Sequence, residues 1–299
     1  MMDSPYCLFC QSDRVVANNR LPILFNNKVF NWLDCKNCKL LFLFPALTED
    51  DKKLLYAPSY HQQYYFNYTE NYAPQLKTIR KYGKKTVLDY GCGDAGLISF
   101  LHRNKYEVTG VEYDEFLIEK LRQNFIGINF ITEKDFWSKT ETYDIIHLGD
   151  VLEHTSDPIN LMGKLTAKLN PGGLFFIEGP LECNPSIAYY FRLLTYAIKS
   201  RVNKESVRVK LPYHITFSTA KNQRLFFEKL KIEEKEYTVL EAGWPYLDKL
   251  EEVRSPWLFL QFLIARFSIL VSTFTKGWGN RFVYVGKPLI YIDKIDKEI

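Results

Sequence analysis

At one place in the chain a strand-like run breaks straight into glycines, and that place limits the fold more than any other. Thr86-Val87-Leu88-Asp89-Tyr90 is apolar and β-branched, Gly91-Cys92-Gly93-Asp94-Ala95-Gly96 follows at once, and a helix-period segment runs from about 95 to 104. Further strand-like runs follow at 107–112, 128–131, 143–148 and 174–178, with helical spacing over 117–124 and 159–169 between them. Asp157-Pro158 reads as a helix start and Pro171-Gly172-Gly173 as a helix stop. Strands that alternate with helices predict a Rossmann-like α/β fold: a doubly wound, mostly parallel sheet with its ligand at the strand C-termini. The apolar run 281–287 supplies one more strand near the C-terminus.

The acids around the glycines narrow the ligand. Gly91, Gly93 and Gly96 satisfy the G-x-G-x-x-G spacing of dinucleotide sites, a weak signal alone. A pyrophosphate needs backbone N–H groups and a positive helix end, whereas Asp89 and Asp94 bring negative charge to this turn. S-adenosylmethionine, with an ammonium and a sulfonium and no phosphate, suits such a turn better. Glu112 at the end of the next strand is placed to accept ribose hydroxyl protons. Asp135 and Phe136, after the third strand, are candidates for the adenine amino group and the cover of its ring.

These strings, with Leu148-Gly149-Asp150-Val151-Leu152-Glu153-His154 and Leu169-Asn170-Pro171-Gly172-Gly173, resemble the class I S-adenosylmethionine-dependent methyltransferases. The branch with ubiquinone-pathway and polysaccharide- or antibiotic-sugar enzymes is the most similar. The likeness covers residues 83–182 well, and extends weakly to 212–218 and 281–288. It implies an antiparallel last strand, and binding of the donor's methionine part by Asp89, Gly91 and Gly93, of its ribose by Glu112, and of its adenine by Asp135 and Phe136. It also implies that Leu148, Gly149 and Asp150 line the mouth where methyl transfer occurs. An oxygen or carbon nucleophile must lose a proton, and His154 and His214 are the candidate bases. Asp150, Glu153 and His154 are further similar to an acid-x-x-Glu-His arrangement that carries a divalent metal in some relatives, with Asp in place of the first Glu.

Ahead of this core, Cys7-Leu8-Phe9-Cys10 and Cys35-Lys36-Asn37-Cys38 form two C-x-x-C knuckles. No secretory signal opens the sequence, so a reducing, cytoplasmic setting is expected, in which paired knuckles read as a four-thiolate zinc ribbon rather than disulfides. Four thiolates close the metal's shell, so its role is structural. The expected domains are a zinc ribbon at 1–47, a tyrosine-rich helical cover at 48–82, and the methyltransferase-like domain at 83–299 with an acceptor lid around 183–235.

A net charge of +4 with interspersed signs gives no case for nucleic acid. The expected acceptor is small and polar, a sugar or a nucleotide-linked sugar that the basic run Lys199 to Lys210 would meet. The apolar stretch Trp257 to Phe274 is marginal as a membrane span, and core packing or a dimer contact is its default reading. Docking on a membrane surface is the less favoured alternative, because Arg254 and Lys276 are its only close basic flanks. Two other readings stay open: an NAD-dependent oxidoreductase, and a zinc-ribbon binding module on a core that has lost its chemistry.

Overall fold

The alternation of strands and helices is realised in a computed structural model that describes residues 5–56, 72–202, 211–242 and 250–289. The chain divides into two compact units: one gathers residues 1–46, 179–229 and 236–283, the other residues 47–178, 230–235 and 284–299.

In the first unit the cysteine-bearing segment forms β1 (Val15–Ala17), β2 (Ile23–Phe25), β3 (Lys28–Cys35) and β4 (Leu41–Phe44), and β10 (Thr216–Phe217) pairs antiparallel with β4. Asn26 and Asn27 both take positive φ, which gives the tight β2–β3 hairpin its twist and sets Phe25 opposite Lys28. Phe9 stacks on Phe226 of helix α8 (Ala220–Lys229) with ring centroids 4.4 Å apart, closing the small core. Helices α7 (Ile187–Val202) and α9 (Pro256–Phe274) pack on each other, and the Ala188 amide donates to Ser268 Oγ at 3.2 Å. Core packing or a dimer contact is the default expectation for α9, and only Ala265 and Ser268 of the helix are buried.

In the second unit β5 (Thr86–Tyr90) is buried along almost its whole length. It pairs in parallel with β6 (Glu107–Glu112) on one side and β8 (Tyr143–Gly149) on the other. Strand β7 (Asn129–Thr132) extends the sheet beyond β6, and β9 (Leu169–Pro180) extends it beyond β8. The full order is β11-β12-β9-β8-β5-β6-β7, with β11 at Ile232–Leu240 and β12 at Arg281–Pro288. The Leu181 amide, just past β9, donates to the Asn280 carbonyl just before β12, so these two strands run antiparallel. Helices α1 (Glu49–Leu55), α2 (Ala73–Lys81), α3 (Gly96–Arg103), α4 (Glu115–Asn124), α5 (Glu133–Phe136) and α6 (Pro158–Thr166) accompany the strands.

The chain order reverses between β5 and β8, which places a crevice at their C-terminal ends. One boundary differs from the sequence reading. Pro171-Gly172-Gly173 is no helix stop but an irregularity inside β9, where pairing shifts from Tyr143↔Leu169 to Ile145↔Leu174, and Gly172 takes φ +75° to make room for it. Of the tyrosines expected to cover the core, Tyr60, Tyr64, Tyr65 and Tyr68 lie outside the described residues, as do Lys204, Arg208 and Lys210 of the basic run.

Candidate active site

The turn after β5 is built by left-handed backbone. Gly91 (φ +78°) and Gly93 (φ +51°) take it without strain, and Ala95 takes φ +63° as the residue before α3, fully buried. A Cβ on Gly91 would lie 2.7 Å from Val151 Cγ2, so the segment after β8 rests directly on this turn. Tyr72 closes over the start of α3, where a Cβ on Gly96 would overlap its ring.

The amides of the turn are already engaged. Gly91 and Cys92 donate to the Val111 carbonyl at 2.8 and 3.0 Å, and Ala95 donates to the Cys92 carbonyl at 2.9 Å. Gly93 donates to Glu112 Oε2 and Gly96 to Asp94 Oδ1, each at 3.0 Å. Two carboxylates therefore sit where a pyrophosphate would need N–H donors and a positive helix end. Glu112 Oε1 also accepts from the Tyr113 amide at 2.7 Å, and burial raises its pKa against the pull of these bonds. A carboxylate has about four lone-pair sites. With two backbone donors in place, the half-buried Glu112 retains capacity for a pair of vicinal hydroxyls.

Asp89 has a different setting from the one expected. Its Oδ1 lies 2.6 Å from Nδ1 of His147, directly across the β5–β8 ladder, and His147 Nε2 lies 3.3 Å from Glu178 Oε2. Gln75 Nε2 donates to the same Glu178 carboxylate at 3.2 Å. Burial alone would strip the proton from His147, but Asp89 and then Glu178 outweigh it and push its pKa up to about 10. The imidazolium answers the Asp89 charge, so the turn's negative character rests on Glu112 and Asp94 rather than on Asp89. The sequence reading missed His147. Its place two positions before Gly149 marks it as inward-facing, but only the strand register shows its partner.

A pH dependence follows. Below about pH 6.5, the ordinary histidine value, the stabilisation by His147 is complete, and it is lost as pH rises towards about 10. Replacing His147 by Gln leaves the buried Asp89 carboxylate without its counter-charge, at about 3–5 kcal/mol. We expect the melting temperature to drop by roughly 10 °C near pH 7 on that scale. The gap from wild type should narrow by pH 10, and a gap that stays constant across this range would contradict the assignment.

Two expected site residues prove to be core. Phe136 is fully buried, its ring 6.0 Å from that of Tyr90 and 4.8 Å from that of Trp137, with Lys168 Nζ 5.1 Å above it. A ring closed in this way offers no face to an adenine. Leu148 is likewise fully buried within β8, so it holds the sheet rather than lining the mouth. Asp135 is exposed within α5, the short helix after β7, and its amide is held by the N-cap Thr132 Oγ1 at 3.1 Å. Gly149 and Asp150 end β8. Asp150 is exposed in the left-handed region (φ +53°), and its amide donates to the Glu178 carbonyl at 3.0 Å.

His154 follows in a short 3-10 turn (Leu152–His154), with Nδ1 3.3 Å from the Tyr56 hydroxyl and Nε2 3.7 Å from Glu153 Oε1. His214 belongs to the first unit, where its Nδ1 lies 2.6 Å from Glu182 Oε1.

The four knuckle cysteines converge in the first unit, their sulfurs all within 4.8 Å of one another. The shortest separations, 3.4 Å for Cys7–Cys38 and 3.5 Å for Cys10–Cys35, are far above a disulfide bond of about 2.05 Å. A tetrahedral zinc with bonds of about 2.3 Å needs sulfur–sulfur edges of roughly 3.8 Å, and the cluster fits. The two knuckles repeat one turn: Gln11 and Lys39, just past the second cysteine of each, take positive φ and donate to the Cys7 and Cys35 carbonyls. Asn37 Nδ2 and the Cys38 amide point at the Cys10 and Cys35 sulfurs, at 3.6 and 3.4 Å, as donors to thiolates would.

Ubiquinone biosynthesis O-methyltransferase of Coxiella burnetii is 34% identical over 104 residues, which are 31% of this chain and 43% of that protein. Its counterpart in Actinobacillus pleuropneumoniae is 32% identical over 115 residues, 35% of this chain and 49% of that protein. The chain thus spans less than half the length of these relatives. Among solved structures, a plantazolicin methyltransferase in complex with SAH aligns at a TM-score of 0.46 and 16% identity, covering 80% of this chain and 91% of that one. A SAM-dependent methyltransferase from Archaeoglobus fulgidus aligns at 0.43 and 18%, covering 72% and 91%. The family described as a methyltransferase domain matches residues 59–229, more than half of the 299, and takes in the glycine turn, Glu112 and the segment through His154. The chain belongs to that methyltransferase-domain family.

Proposed function

We propose that the protein transfers a methyl group from S-adenosylmethionine to an oxygen of a small acceptor. One observation carries the choice of donor: the Gly93 and Gly96 amides are each held by a carboxylate, Glu112 and Asp94. A diphosphate meets like charge there, whereas a donor whose charges at the reacting end are an ammonium and a sulfonium meets complementary charge. Glu112 takes the ribose hydroxyls, Asp135 the adenine amino group, and Gly91, Gly93, Gly149 and Asp150 shape the methionine side. The relatives named as O-methyltransferases support oxygen as the acceptor atom. A nucleotide-linked sugar rests on the charge of Lys199 and Arg201 alone among the described residues and has no support from the relatives' names.

Methyl transfer is an in-line displacement in which the protein aligns the donor and acceptor and removes the acceptor's proton. Val151 packs on Gly91, and His154 lies three residues on, bracketed by Tyr56 and Glu153. Its imidazole is the base in this reading, and Tyr56 fixes its orientation. Replacing His154 by Asn should lower turnover by roughly 10²–10⁴ with donor affinity unchanged. The assay is transfer of labelled methyl from S-adenosylmethionine into a cell extract's small-molecule fraction, and equal turnover in wild type and variant would remove His154 from the role.

A zinc ion held by Cys7, Cys10, Cys35 and Cys38 completes the reading of the first unit. It supplies folding energy to a segment whose own core is small, and with four thiolates around it leaves no open position for chemistry.

A further inference from the structure

Helix α9 is strongly apolar, with a mean hydropathy of 1.7 over its most apolar stretch, yet only 11% of that stretch is buried. Ala265 and Ser268 face α7, and the opposite face is a continuous stripe at helical spacing: Leu263, Phe267, Leu270 and Phe274, 48%, 56%, 55% and 83% exposed. Leu194 and Ile198, one turn apart on α7 and 58% and 54% exposed, enlarge the apolar surface of the same unit. Single exposed apolar side chains need no explanation, but a surface of this extent marks a partner.

Charge tells which partner. Neither α7 nor α9 contains an Asp or Glu, and their charged residues are Arg192, Lys199, Arg201 and Arg266. A second copy of the chain meeting this face by two-fold symmetry would bring cations against cations. An anionic layer with an apolar interior complements both features at once. Ser268 is tied to Ala188, which docks α9 along its length on the protein and leaves only its outer face to enter the layer. We propose that the α7–α9 pair is an interfacial membrane-docking surface, which lies on an anionic bilayer rather than spanning it. The proposal is independent of the donor assignment.

Flotation of the full-length protein with vesicles tests it. Vesicles of phosphatidylglycerol in phosphatidylcholine should carry the protein at least tenfold more strongly than phosphatidylcholine alone, and high salt should reverse most of the difference. The double variant Phe267→Ser with Leu270→Ser should lose the binding by tenfold or more. Because both side chains are exposed, its melting temperature should match that of wild type. A charge variant, Lys199→Glu with Arg201→Glu, removes the same binding without touching the apolar stripe. The proposal is overturned if wild type ignores anionic vesicles, whether it is then a monomer or a dimer that the serine variant splits, or if both variants bind as wild type does.

Discussion

Changing Cys35 to Ser should abolish the proposed zinc binding and unfold the knuckle segment. Cys35 is fully buried, its sulfur 3.5 Å from that of Cys10 and an acceptor for the Cys38 amide at 3.4 Å. A serine oxygen is a poorer and shorter ligand, so the cluster loses one of its four thiolates and the geometry that holds the rest. Structural zinc binding is worth about 10–16 kcal/mol in small zinc modules, as much as the usual stability of a whole domain at about 5–15 kcal/mol. Metal analysis of protein grown with zinc should give one ion per chain for wild type and near none for the variant. Protease should then cut within the first 46 residues of the variant and leave those of wild type intact. Cys183→Ser, outside the cluster, is the control and should keep the metal. A zinc-free wild type, or a variant that retains metal and protease resistance, would show that the sulfurs converge without an ion.

The second large effect is at Glu112. Its carboxylate holds the Gly93 amide at 3.0 Å and the Tyr113 amide at 2.7 Å, so Glu112→Ala leaves two donors without their acceptor and, together with them, removes the ribose contact proposed above. Each stranded buried donor costs roughly 1–3 kcal/mol of folding stability, while the two lost hydroxyl contacts to a charged acceptor cost binding about 3–4 kcal/mol together. The expected fall in affinity for S-adenosylmethionine is about 10²–10³, on the scale of about 1.4 kcal/mol per decade. Equilibrium dialysis with labelled donor reads it. Glu112→Gln keeps one acceptor oxygen and should fall between wild type and Ala. Affinity within threefold of wild type for both variants would move the donor away from this strand end.

What the sequence discloses is what local pattern can encode. The glycine turn, Glu112 at its strand end and the knuckles are each set by residues a few positions apart, and the structure has them where the strings put them. What it hides depends on contacts across the chain. His147 and Asp89 meet because β5 and β8 pair at that register, 58 residues apart in sequence. Phe136 and Leu148 read as ligand-facing from their place after a strand or at its end, but neighbours from other elements bury them: Tyr90 and Lys168 around Phe136, and the strands flanking β8 around Leu148. The short strand Thr216–Phe217 carries no strong strand signal of its own, and its pairing with β4, like the stacking of Phe9 on Phe226, ties the segment after residue 178 to the cysteine module only through contacts distant in sequence. In α9 the composition is plain, whereas the side that stays uncovered is a property of packing against α7.

Calorimetric titration of the wild-type protein with S-adenosylmethionine, and separately with NADH, tests the donor assignment most directly. One site per chain for S-adenosylmethionine with no heat from NADH is the predicted result, because the amides a diphosphate would need are bonded to Glu112 and Asp94. Saturable NADH binding with none for the methyl donor would contradict it.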